Sequence, residues 1–110
     1  MKIAILLKSG PCTDEADHAL QATADMLAQG HRVSLFLLQE AVRFCRPPVK
    51  RPGSREIQEI TNQNLEVHVL AQDAELRGIE DSVISGTLFK GTYDSLIELM
   101  ESCDRIIGVL

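Results

Sequence analysis

The chain has 110 residues, of which 45% are hydrophobic and 25% charged, and its formal net charge at pH 7 is −5. A chain of this length builds one modest core, so we expect a single domain over residues 1–110. The negative charge argues against nucleic-acid and membrane-surface binders, which depend on basic patches. No segment is long enough to span a bilayer.

The cysteine content predicts a reducing environment. Three cysteines are present, and none forms a Cys-x-x-Cys pair. This usage is typical of free thiols and not of a disulfide framework. The apolar run after Lys2 is too short for a signal peptide and has no small-residue cleavage site, so we expect a cytoplasmic protein.

Apolar runs alternate with helical patterns along the chain. The first run is nearly continuous, as expected for a strand covered on both faces. The first helical pattern has Thr13 or Asp14 as its N-cap and Gly30 at its end. The predicted elements are strand Ile3–Leu7, helix Asp14–Gln29, strand Arg32–Leu38, short helix Gln39–Phe44, helix Arg55–Gln63, strand Leu65–Ala71, helical turn Asp73–Arg77, an edge strand within Val83–Phe89, helix Tyr93–Ser102 and strand Arg105–Leu110.

This alternation predicts a three-layer α/β/α sandwich around a mostly parallel sheet of about five strands. The order of the strands does not follow from the pattern. In such sheets, functional groups collect in the loops that follow the carboxyl ends of the strands. Those loops are residues 8–13, 39–53 and 71–78.

Several segments together resemble the DsrE/DsrF-like family, which includes the TusB-, TusC- and TusD-type sulfur-relay proteins. The resemblance spans essentially the whole chain and rests on the order and spacing of its pieces. These are Lys2–Leu7 with the Gly10-Pro11 loop, Gly30–Leu37 followed by Ala41-Val42, Val67–Ile79, Gly91-Thr92 and Asp104–Ile107.

The resemblance implies a cytoplasmic α/β protein that forms a homotrimer or hexamer and acts with other sulfur-relay proteins. Active members of the family carry a persulfide on a cysteine at the end of the third strand. Spacing back from Arg77 places that cysteine on Leu70, and a second cysteine of some members on Asp73. We therefore take Leu70, Asp73 and Arg77 as candidate binding residues and expect no sulfur transfer through Leu70 or Asp73.

Cys45 is a candidate nucleophile because it lies in a basic segment, residues 43–55. Cations stabilise a thiolate and attract anions, and charge runs are also common in solvated loops. The segment's candidate anion-binding residues are Arg46, Lys50 and Arg51. Cys45 and Arg51 also share the C-x5-R spacing of phosphatase loops, but Pro47 and Pro48 remove the backbone N–H donors that such loops need.

Cys12 is the second candidate nucleophile, in the first strand-to-helix loop. The start of the following helix would lower its pKa, and the nearby carboxylates of Asp14, Glu15 and Asp17 would oppose that effect. Cys103 is expected to be a packing residue. The three histidines share no ligand spacing with each other or with the cysteines, so no metal site and no cofactor are predicted.

Three functions remain open on this basis. The first is a non-catalytic sulfur-relay subunit that oligomerises or binds a partner. The second is a sulfurtransferase with a persulfide on Cys12 or Cys45. The third is a small anion-binding module that uses residues 43–55. They differ in whether Cys12 or Cys45 points into the cleft beside Leu70.

Overall fold

The computed structural model describes residues 1–46, 57–60, 62–84 and 88–108. Within them, a sheet and three α-helices are joined by short 3₁₀ helices. The strands are β1 (Lys2–Leu7), β2 (Arg32–Leu37), β3 (Leu65–Leu70), β4 (Leu88–Gly91) and β5 (Arg105–Ile107); the α-helices are α1 (Asp14–Ala28), α2 (Ala71–Leu76) and α3 (Tyr93–Ser102); the 3₁₀ helices are Gln39–Cys45, Ile57–Ile60 and Asp81–Val83.

The sheet is parallel throughout, with the strand order β4-β3-β2-β1-β5. The connections from β1 to β4 all step in one direction, whereas the last connection returns across the sheet to β5. Right-handed crossovers place opposite steps on opposite faces, so α3 covers the face that α1 and α2 leave free. The predicted α/β/α sandwich is confirmed.

The α1 face holds the main core. Side chains that alternate along β1 and β2, such as Ile3, Ile5 and Leu35, point toward it and are buried. The buried stripe of α1 packs on them at the predicted helical spacing, and it consists of Ala16, Ala19, Leu20, Thr23 and Leu27. Thr13 caps α1 by accepting a hydrogen bond from the backbone N–H of Ala16 at 3.2 Å.

The α3 face holds a much smaller core. Its buried residues are Leu6, Phe36 and Leu70, on which the half-buried Leu96 and Met100 of α3 pack. Thr92 and Ser95 form a reciprocal capping box at the start of α3. This face is therefore closed by one helix, at the carboxyl ends of the central strands.

The structure corrects several predicted element boundaries. Ala71 begins α2 instead of ending β3, because Ala71–Leu76 is composed mainly of strong helix formers. The predicted helix Arg55–Gln63 is a 3₁₀ helix over Ile57–Ile60; its two buried isoleucines are three residues apart and share one face. Residues 47–56 of the predicted loop and helix lie outside the described residues.

The two late strands are also displaced. Val83 lies in a 3₁₀ helix, and the edge strand runs from Leu88 to Gly91, where it pairs with Val67–Leu70. The last strand ends at Ile107, and residues 109–110 lie outside the described part of the chain. Strand pairing with β3 and β1, which a single-strand pattern does not reveal, determines both boundaries.

Candidate functional site

Leu70 lies at the carboxyl end of β3, opposite Gly91 in the register of β4. It is also the N-cap residue of α2, with extended backbone angles. A reactive side chain at this position would be next to the positive end of a helix dipole, which stabilises an anionic sulfur. The residue present is an isobutyl side chain that is 1% exposed and packs with Leu6 and Phe36.

A cleft of about 270 Å³ opens beside Leu70, between the beginnings of α2 and α3. The cleft marks the place where the carboxyl ends of β3 and β4 meet. Its lining residues are Leu70, Ala71, Gln72, Gly91, Thr92, Tyr93 and Asp94. Neither Cys12 nor Cys45 is among the lining residues.

The floor of this cleft requires glycine at position 91. A Cβ atom built on Gly91 would lie 2.6 Å from Cζ of Phe36 and 3.3 Å from the carbonyl oxygen of Val69. Phe36 is fully buried, so its ring has no free space into which it can move. The close approach of β4 to Phe36 therefore keeps the cleft shallow beside Leu70.

Asp73, which the sequence resemblance aligns with a second cysteine of some members, has a structural role. Its Oδ2 accepts a hydrogen bond of 2.7 Å from the backbone N–H of Gln39, and the residue is 9% exposed. Gln39 has a φ of 47°, in the left-handed region that few non-glycine residues adopt. The carboxylate thus holds a strained turn after β2 against α2.

Arg77 extends this connection between α2 and the 3₁₀ helix Gln39–Cys45. Its Nη1 donates to the carbonyl oxygen of Asp73 at 3.2 Å, and its Nε lies 3.4 Å from Oε1 of Glu40. Glu40 also forms an ion pair with Arg43. The hydrogen bond from Arg43, supported by the charges of Arg43 and Arg77, lowers the pKa of the Glu40 carboxyl.

Arg46 is the one proposed anion-binding residue of the basic segment that the structure describes. Its Nη2 donates a 2.9 Å hydrogen bond to the carbonyl oxygen of Gly78. Arg46 therefore joins the end of the 3₁₀ helix to the end of α2. Lys50 and Arg51 lie outside the described residues.

Cys45 lies on the opposite side of the sheet from Leu70. Its thiol packs against the main core on the α1 face, and this burial raises its pKa to about 11. Burial thus opposes the thiolate that the basic segment was expected to stabilise at Cys45, and most of that segment lies outside the described residues.

Cys12 lies in the loop after β1, at the same edge of the sheet as the cleft. It is half-buried, and its φ of 66° puts it in the left-handed region. The next residue is the N-cap of α1, so the backbone turns sharply just before the helix begins. Cys103 is also half-buried and lies at the other edge of the sheet, between α3 and β5.

Three residues at this edge were missed by sequence reasoning. Glu40 forms one ionic network with Arg43 and Arg77. Its position directly after β2 points to this network only once β2 and β3 are known to be neighbouring strands. Thr92 and Tyr93 line the cleft, and the signal for them was the Gly91-Thr92 pair. A correct assignment of β4 would have placed that pair beside Leu70.

No set of three or more histidine, cysteine or acidic side chains converges on a metal-sized site in the described ranges. None of the helices described is both long enough and apolar enough to cross a membrane.

Comparisons with known proteins identify the family. None of the curated proteins matches the chain. Among solved structures, the E. coli YchN protein matches with a TM-score of 0.82 and 24% identity, over 100% of this chain and 99% of that one. At this identity the likeness shows a shared fold. The family model for the DsrE/DsrF-like family matches residues 1–109. The chain therefore belongs to the DsrE/DsrF-like family.

Proposed function

We propose that this protein is a non-catalytic member of a sulfur-relay system, acting as an oligomeric or partner-binding subunit. Membership of the family implies a role related to sulfur relay. The observation that carries the proposal is the buried isobutyl side chain of Leu70, at the position that the sequence resemblance aligns with the family cysteine. An isobutyl side chain has no sulfur atom and cannot carry a persulfide.

The remaining cysteines support this proposal. Cys45 is in the core of the other face, and its raised pKa leaves little thiolate at neutral pH. Cys12 lies at the correct edge of the sheet but does not line the cleft. All three cysteines are free thiols, which supports a cytoplasmic location as part of the proposal.

The proposed subunit role includes self-association into a trimer or hexamer. The α3 face exposes large apolar side chains on neighbouring elements, and Phe89 and Ile97 are 50% and 54% exposed. Tyr93 and Ile106 are exposed on the same face. Apolar surface of this kind is typical of protein interfaces. Light scattering should give a mass of three or six chains at micromolar concentration; a monomer under these conditions would contradict the assembly.

The catalytic part of the proposal is tested by intact-mass spectrometry after incubation with a sulfane-sulfur donor. An active family member treated in parallel confirms that the donor is competent. The intact mass of the protein should not increase by a sulfur atom of the kind that a thiol reductant removes. A reducible sulfur adduct would contradict the non-catalytic role.

Single-cysteine variants would then separate the two enzymatic alternatives. An adduct abolished in Cys12→Ser assigns sulfur transfer to the carboxyl-edge loop, whereas one abolished in Cys45→Ser assigns it to the basic segment. The anion-binding alternative has less support, because Arg43 pairs with Glu40 and Arg46 binds the carbonyl oxygen of Gly78. A search for a relay partner should use affinity capture with purified candidate sulfur carriers.

A further inference from the structure

A second concavity lies at the amino edge of the sheet, at the opposite end from Leu70. Its volume is about 200 Å³, and it opens where β1, β2 and β3 begin. The alternation of side chains along these strands places its charged residues on the α3 face. Its polar lining consists of Lys2, Arg32, Ser34, Gln63, Asn64 and Glu66.

Ser34 is the buried member of this lining. It is 5% exposed, and its hydroxyl forms no hydrogen bond with any residue that the structure describes, while its oxygen keeps access to the cavity. The hydroxyl is therefore free to donate a hydrogen bond to a molecule bound in the cavity.

The two cationic side chains that line the cavity are also accessible to a ligand. Lys2 and Arg32 are directly opposite each other in the β1–β2 register. Neither side chain forms an ion pair with a carboxylate among the described residues. Glu66, opposite Ser34 in the β2–β3 register, is instead paired with His68, with 3.3 Å between Oε2 and Nε2. The carboxylate is thus directed along β3, away from the end of the cavity that holds the cations.

The aromatic neighbours of His68 keep that arrangement in place. Its ring stacks between Phe36 and Phe89, with ring centres 5.7 Å and 5.1 Å away. A ring held on both faces has little freedom to turn, so Glu66 keeps its partner. Besides the Glu66 carboxylate, the polar groups that line the cavity are the ammonium, the guanidinium, the hydroxyl and the side-chain amides.

We propose that this cavity binds a small divalent oxyanion such as sulfate or phosphate. Two cations match a double negative charge, and the guanidinium can donate two parallel hydrogen bonds to a tetrahedral oxyanion. Ser34 donates its hydroxyl from the floor, and Asn64 donates from the rim. The site is independent of Leu70 and of sulfur transfer.

The test is an NMR titration of the whole protein with sodium sulfate, phosphate or acetate, with chloride adjusted to hold the ionic strength constant. The backbone amide signals of Ser34 and Asn64 should shift saturably with sulfate or phosphate, and acetate should bind more weakly. Arg32→Gln should weaken sulfate binding about tenfold. Ser34→Ala should weaken it about threefold.

Arg105→Gln is the matched control, because it removes the same charge from an exposed position on β5, outside the cavity lining. Its affinity for sulfate should equal that of the unmodified protein. Shifts that fail to saturate, or equal losses in Arg32→Gln and Arg105→Gln, would show general salt screening and overturn the site. Acetate binding as tightly as sulfate would overturn the divalent specificity. If Ser34→Ala fails to fold, the exposed Arg32 still decides the outcome.

Discussion

The two faces of the sheet are covered to different extents. On the α1 face, the long helix α1, the helix α2 and the 3₁₀ helices cover a core that reaches from Ile3 to Ile84. On the α3 face, a single ten-residue helix with no fully buried side chain covers Leu6, Phe36 and Leu70. Both the cleft beside Leu70 and the amino-edge cavity lie on, or open to, the α3 face.

This difference follows from the order of the strands. Successive steps from β1 to β4 place their connections on one face, and only the return to β5 supplies the other face. The α1 face therefore provides most of the stability, and the α3 face keeps surface for ligands and partner chains. The large burial of apolar area on one side makes incomplete coverage of the other side tolerable.

The largest expected effect compares the two cores directly. Leu35→Ala, in the fully closed α1 face, should lower the free energy of unfolding by about 3–4 kcal/mol. Leu6→Ala, in the smaller α3-face cluster, should cost about 2 kcal/mol, because its thinner cover relaxes more easily. Urea unfolding measures both. Equal losses would remove the distinction between the faces.

The next effect concerns the tightest point of the α3 face. Gly91→Ala should destabilise the protein by about 2–3 kcal/mol, because its Cβ would collide with the buried ring of Phe36. Gly108→Ala is the control, since a Cβ at that position meets nothing within 4 Å. Thermal unfolding of both variants checks the prediction. If Gly91→Ala leaves the stability unchanged, Phe36 is free to move and the cleft is deeper than its walls suggest.

A smaller loss of stability is expected where the turn after β2 contacts α2. Asp73→Ala should cost about 2 kcal/mol, because it leaves the N–H of Gln39 without its carboxylate partner. Asp81→Ala also removes an acidic partner, from an exposed pair with Lys90, and should cost less than about 0.5 kcal/mol. Chemical denaturation distinguishes the two. Similar losses would show that the contact between Asp73 and Gln39 is solvated.

The smallest effect is a pH dependence from Cys45. Burial raises the pKa of its thiol from 9.0 to about 11, so the unfolded chain ionises first. The stabilising contribution of the neutral thiol is complete below pH 9 and is lost as pH rises to about 11. The unfolding midpoint should fall less over this pH interval in Cys45→Ala than in the unmodified protein. An identical pH profile in both proteins would show that the thiol is hydrated.

Much of the fold was accessible from sequence because local and global signals agree. The helix over α1 and its Thr13 cap are encoded within a few residues, and the structure confirms them. The boundaries of β4 and of the helix near Ile57 were wrong. They depend on register with β3 and on packing against the main core, which are long-range contacts.

The sequence predicted the position of Leu70 in the fold better than it predicted the chemistry around the cysteines. Spacing from Arg77 placed Leu70 at the end of a strand, and the structure finds it there beside a cleft. The electrostatic argument for Cys45 omitted burial, because a linear count of cations carries no information about it. The bond from Gln39 to Asp73 was equally invisible, since it joins residues 34 positions apart.

The most direct test of the central claim is to restore a thiol at Leu70 and measure sulfur loading by intact mass. Leu70→Cys creates a cysteine beside the cleft and at the start of α2. Val69→Cys is its matched control, because the neighbouring side chain is buried in the core of the α1 face. After incubation with a sulfane-sulfur donor, Leu70→Cys should gain a reducible sulfur atom, while Val69→Cys and the unmodified protein remain unchanged. An unmodified Leu70→Cys, or equal loading of Val69→Cys, would contradict the claim that this chain keeps the family's site without its nucleophile.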